Sequence, residues 1–115
     1  MADVDLYTHE GKAERSIEMS ENAAVHDMAT LCGFNFVPAS LVPELINATV
    51  GTEYTEEALR EIARRVITLE RRFNLREGLN HKDDTLPPCL LNEPLPDGMA
   101  AGKKVEGLDI MLSEY

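Results

Sequence analysis

The segment from Thr55 to Asn74 carries the pattern that most constrains this chain. Leu59, Ile62, Ala63, Val66, Ile67, Leu69 and Phe73 recur at helical spacing and make one broad apolar stripe. Arg60, Glu61, Arg64, Arg65, Glu70 and Arg71 take the remaining surface. Thr55 is placed to cap this helix, and Glu56 and Glu57 lie where the positive end of the helix dipole favours acids. Gly78 ends it. Such a stripe must be buried against other elements, so this helix is expected at the centre of the fold. Leu59, Ile62, Val66, Leu69 and Phe73 are expected to be buried together.

The flanking segments supply partners of the same kind. From Lys12 to about Cys32 the chain reads as a helix, with Ile17, Ala24, Met28 and Leu31 on one face and Val25 widening it. Glu14, Arg15, Glu18 and Glu21 fall on its other faces, and Gly33 is in place to terminate it. Asn35 to Pro38 is a connection. A short helix is predicted from Ala39 to Ala48, with Pro43 in the first turn, where proline is tolerated, and Gly51 and Thr52 break it. Residues 79–104 read as irregular, because they hold Pro87, Pro88, Pro94 and Pro96 and the turn signals Asp83, Asp97 and Gly98. A stretch of that length without regular structure is usually functional or draped over a partner. Leu108, Met111, Leu112 and Tyr115 return to helical spacing, and the chain stops in mid-pattern without a cap, which suggests a truncated reading frame or an excised piece. No alternating strand pattern of useful length occurs, so the fold is expected to be all-α, as a single helical domain over residues 1–115.

Charge and length narrow the function. With 115 residues the chain has material for one modest core. Its net charge of −10 makes nucleic acid and anionic membranes poor partners. No apolar run reaches the length of about 18 residues that a membrane span needs. The acidic start, Met1-Ala2-Asp3-Val4-Asp5, lacks the order of a signal peptide, and a cytoplasmic location follows by default. Cys32 and Cys89 are the only cysteines and are expected to stay unpaired in a reducing compartment. Two thiols cannot close a metal site that needs four, so if either ligates a metal, further ligands lie elsewhere.

Three segments are candidates for chemistry. The first is Asp27-Met28-Ala29-Thr30-Leu31-Cys32-Gly33, with an acid in the last turn of a helix and a thiol at its end. On spacing alone, an exposed acid and a small buried thiol are the preferred reading. The second is Glu70-Arg71-Arg72-Phe73-Asn74-Leu75-Arg76-Glu77-Gly78, which has no catalytic spacing and reads as a solvated helix end. The third is Lys82-Asp83-Asp84-Thr85-Leu86-Pro87-Pro88, whose paired acids could meet a cation but more often start a turn. His9, His26 and His81 have no second histidine at ligand spacing.

In this order the three segments resemble the C-terminal domain of the tungsten-containing aldehyde ferredoxin oxidoreductase family. Asp27 to Cys32 is similar to that family's Asp-x-x-Gly-Leu-Cys motif, Arg71 to Gly78 to its Arg-x-Phe-Asn-x-Arg-Glu-Gly motif, and Asp84-Thr85-Leu86-Pro87 to its Asp-x-Leu-Pro motif. Gly11-Lys12-Ala13 and the ending from Leu108 to Tyr115 also look like the family. Thr30 stands where the motif has glycine, and a left-handed backbone there would be uncomfortable for a β-branched residue.

The resemblance implies that Asp27 contacts the pterin that holds tungsten, that Leu31 contacts it through its backbone, and that Cys32 is one ligand of a 4Fe–4S cluster. It also implies that the complete enzyme carries tungstopterin and the cluster, oxidises aldehydes to carboxylic acids, and passes electrons to ferredoxin. The run of three cysteines that supplies the other ligands is absent from this chain. The implied partners are therefore missing N-terminal domains or a partner subunit, and the isolated chain is expected to be inactive and without cofactor. The alternatives are a non-enzymatic helical remnant that has lost cofactor binding, and an interaction domain. Asp27 and Cys32 would point about 140° apart on a continuous helix, so both can face one cofactor only if regular helix stops by Cys32. The thiol is then expected at the surface, within an apolar patch that other domains or a second copy of the chain would cover.

Overall fold

The computed structural model describes residues 7–35 and 37–115. Its helices are α1 (Lys12–Met28), α2 (Val42–Val50), α3 (Glu56–Arg76), α4 (Pro88–Asn92) and α5 (Leu108–Glu114), with 3-10 turns at Gly33–Asn35 and Ala39–Leu41. No strand occurs among the described residues, and the fold is all-α, as the periodicity predicts. No helix among these residues is long and apolar enough to cross a membrane. The chain divides into two units, Glu18–Gly78 and the combination of Met1–Ile17 with Leu79–Tyr115.

In the unit Glu18–Gly78, α3 begins as its sequence dictates. Thr55 is extended, and its hydroxyl accepts from the Ala58 N–H at 3.1 Å, satisfying one of the N–H groups that a helix start leaves free. Helix α2 carries Pro43 in its first turn and closes on Gly51, whose φ of 73° a glycine adopts without strain. Asn47 then fixes the loop to α3. Its amide donates to the Tyr54 carbonyl at 2.8 Å and accepts from the Tyr54 N–H at 2.8 Å and the Thr52 hydroxyl at 2.9 Å.

Val25 of α1, Val42 of α2, and Leu59 and Ala63 of α3 are buried as one cluster. Ala24, Ala29, Leu31, Val37, Ile46 and Ile62 pack around it. Ala63 is fully buried, and its small side chain lets the helices approach closely. The stripe is not buried along its whole length, contrary to expectation. Leu69 is 63% exposed and Phe73 56% exposed. The reason is one of length. Helix α3 has 21 residues and α2 only nine, so the core involves only the N-terminal half of α3.

Glu21 also departs from the sequence reading, which put it on an outer face. It is buried, and its carboxylate accepts from Arg64 Nε at 2.6 Å, with Arg60 Nη1 at 3.8 Å. Arg64 also reaches Glu57 at 3.1 Å, and Arg60 reaches Glu56 at 3.0 Å. The hydrogen bond to Glu21, then the one to Glu57, raises the Arg64 pKa above its ordinary value. This network ties α1 to α3 across the edge of the core. It is hard to foresee because a helical pattern assigns acids to water, whereas a buried acid needs a partner from a distant segment.

In the other unit, the segment expected to be irregular holds the single-turn helix α4. Five residues are too few for a readable period, and Pro88 starts the helix at a position where proline needs no N–H. Past α4 the chain is tied down by backbone bonds. Leu95 N–H donates to Lys103 O at 2.9 Å, Gly102 N–H to Leu95 O at 2.8 Å, and Val105 N–H to Leu90 O at 3.0 Å. The paired acids belong to a turn, in which the Asn80 N–H donates to Asp83 Oδ2 at 2.8 Å and the Lys82 N–H to Asn80 Oδ1 at 3.1 Å.

Candidate functional site

The candidate site is the end of α1. Regular helix stops at Met28, four residues before the Cys32 boundary expected from the sequence. The terminator is Thr30 and not Gly33. Thr30 has φ of 54°, the left-handed conformation, and Gly33 begins a 3-10 turn. Two bonds close the end. Thr30 N–H donates to Asp27 O at 3.0 Å, and Leu31 N–H donates to His26 O at 2.9 Å. This is the Schellman pattern, with threonine at the position that glycine usually holds. Leu31 follows it and packs on the cluster containing Val25, the apolar contact that accompanies such an ending.

This turn decides where the three candidate residues lie. Asp27 is exposed on the last turn of the helix. Leu31 is half-buried, with its side chain held by the core. Cys32 is exposed and free, so it is not the small buried thiol that spacing alone favoured. Cys89 is likewise exposed and free. Met28 is exposed, and Phe34 is 86% exposed. The surface next to the thiol in sequence is therefore apolar and open.

His26 is a residue whose role here was not foreseen. Its Nδ1 lies 2.8 Å from Asn22 O and its Nε2 3.0 Å from Val37 O. It therefore links the end of α1 to the chain beyond the 3-10 turn and brackets the segment that holds Cys32. The sequence offers only its place near a helix C-terminus, since the second carbonyl comes from 11 residues further on.

A β-branched residue in the left-handed region costs about 1–2 kcal/mol, which glycine avoids at some cost in chain entropy. Thr30→Gly is thus expected to stabilise the chain by up to about 1 kcal/mol in urea unfolding. A loss of stability would mean that Thr30 does not terminate the helix in this way.

The second motif forms the end of α3. The Arg76 guanidinium sits 5.4 Å from the centre of the Phe73 ring, and Arg76 Nε lies 3.5 Å from Glu77. Asn74 is half-buried. Among the described residues no cluster of three or more His, Cys, Asp or Glu side chains could hold a metal ion.

Comparison with known proteins shows the family of the chain. The family model for aldehyde ferredoxin oxidoreductase, domains 2 and 3, matches residues 2–115. Over 107 residues the chain is 37% identical to the tungsten-containing aldehyde ferredoxin oxidoreductase of Pyrococcus furiosus. It is 36% identical to the enzymes of the same name from Pyrococcus abyssi and Thermococcus kodakarensis. Each match covers 90% of this chain and 18% of the relative. The chain belongs to the aldehyde ferredoxin oxidoreductase family. It spans less than a fifth of the length of these curated relatives, which are tungsten-containing enzymes.

Proposed function

We propose that the chain is a fragment or split subunit of a tungstopterin- and 4Fe–4S-dependent oxidoreductase that oxidises aldehydes to carboxylic acids with ferredoxin as electron acceptor. The observation that carries this reading is the end of α1, where one turn leaves Asp27 and the free thiol of Cys32 exposed while Leu31 anchors the backbone between them.

The donor set fits a shared cofactor. Cys32 would supply one thiolate to the cluster, and Asp27 would accept hydrogen bonds from the pterin. The Leu31 N–H is committed to His26, so its carbonyl is the group left to meet the pterin. When bound, the tungsten centre and cluster supply the oxidation and the path for electrons, while this chain positions them and excludes water on one side. A thiolate at such a turn has a potential-tuning environment set by nearby backbone dipoles and by whatever covers Phe34.

The exposed surface favours a chain that is covered in use. Within Glu18–Gly78, Phe34 is 86% exposed, Leu69 63% and Phe73 56%. The alternative of a remnant without cofactor rests on Thr30. The backbone there is left-handed, the conformation that a glycine at this position would adopt without strain.

The test is co-production with the domains that make up the rest of the relatives' length, followed by metal analysis. The complex is expected to hold iron and tungsten, and the isolated chain to purify colourless and inactive. A complex that assembles without either metal would leave the remnant reading in its place.

A further inference from the structure

The unit formed by Met1–Ile17 and Leu79–Tyr115 holds a cavity of about 530 Å³, within the roughly 300–1,000 Å³ typical of small-molecule sites. Leu90, Pro94, Leu95, Pro96, Val105 and Met111 give it apolar walls. Its shape is set in advance. Two prolines fix their own backbone, and the bonds from Leu95 to Lys103, Gly102 to Leu95 and Val105 to Leu90 hold the surrounding loop.

The charges around it run against those of the chain. The molecule carries −10 overall and has four lysines, and three of them, Lys12, Lys103 and Lys104, line this cavity. Glu93 and Glu106 are the acids in its lining. Lys103 and Lys104 form no ion pair among the described residues, although the chain has 21 acids to offer. Cations left unpaired beside an apolar wall match a ligand with an anionic head and a hydrocarbon body.

We propose that this cavity binds an amphipathic monocarboxylate, with the hydrocarbon chain against Leu90, Leu95, Val105 and Met111 and the carboxylate toward Lys103 and Lys104. This inference does not depend on the oxidoreductase reading, since it concerns residues distinct from Asp27, Leu31 and Cys32.

Cys89 lines the same cavity and is exposed and free, as is Cys32. The two thiols give an internal comparison. The chain is treated with iodoacetamide at neutral pH, with octanoate, octanol or octyltrimethylammonium present, and alkylation at each cysteine is followed by peptide mass spectrometry. At octanoate concentrations about tenfold above its dissociation constant, alkylation of Cys89 is expected to slow about tenfold and that of Cys32 to stay unchanged. Octanol should protect less at equal concentration, and the cationic amphiphile least. The double variant Lys103→Gln/Lys104→Gln should lose the advantage of octanoate over octanol while keeping the response to octanol, which also reports that the cavity is still formed. Equal protection by octanol and octanoate would overturn the carboxylate assignment. Absence of protection, or equal slowing of both cysteines, would overturn the site.

Discussion

If Cys32 holds a cluster as proposed, replacing it with serine in the assembled enzyme is expected to remove the cluster or leave it incomplete, and to stop electron transfer out of the site. Serine keeps the size of the side chain but offers no thiolate at neutral pH. Disturbing even the outer partners of a metal site costs roughly 10–100-fold, and losing a direct ligand should exceed that. The fold should not change, because the side chain is exposed and is absent from the packed cluster. Iron content below the four atoms of a complete cluster, with an unaltered circular dichroism spectrum, would place the defect at the ligand. Full iron and full activity in Cys32→Ser would remove Cys32 from the site.

The second large effect concerns the core. Leu59→Ala should cost about 2–4 kcal/mol, because Leu59 is buried beside Val25, Val42 and Ala63 and few other side chains can fill the gap. That is a large share of the total stability of a chain this small. Leu69→Ala and Phe73→Ala, on the same stripe but more than half exposed, should cost under about 1 kcal/mol in the isolated chain. Denaturant titration of the three variants separates them. Equal losses at all three positions would mean that the C-terminal half of α3 is packed more fully than its exposure indicates.

The contrast along this one helix shows what the sequence made legible. Periodicity finds α3 and its apolar face, and Thr55 marks its start, because both signals are local. Periodicity does not report how far the partner helices extend, so Leu69 and Phe73 read like Leu59 although only Leu59 is covered. The end of α1 follows the same rule. A glycine after an apolar run is the usual sign of termination, and so Gly33 reads as the stop, whereas the left-handed residue is Thr30. Tertiary anchoring of Leu31 and the bracket made by His26 outweigh the local preference of threonine. For the candidate site, spacing alone favoured a buried Cys32, whereas the thiol is exposed. The order of three motifs suggested the family, and the family model and relatives place the chain in it. The ion network of Glu21 and the cavity beside Cys89 were not legible, since both depend on segments far apart in the chain.

The uneven cover of α3 also has a consequence for motion. Opening a helix locally requires breaking whatever packing each turn enjoys, so the free energy of opening varies along its length. Around Leu59 and Ala63 opening means disrupting the core, whereas from Leu69 to Arg76 it means little more than fraying. Helix α3 thus has a firm root and a loose tip within a single continuous element. Cover supplied over Leu69 and Phe73 would slow amide exchange at the tip without moving a residue of the core.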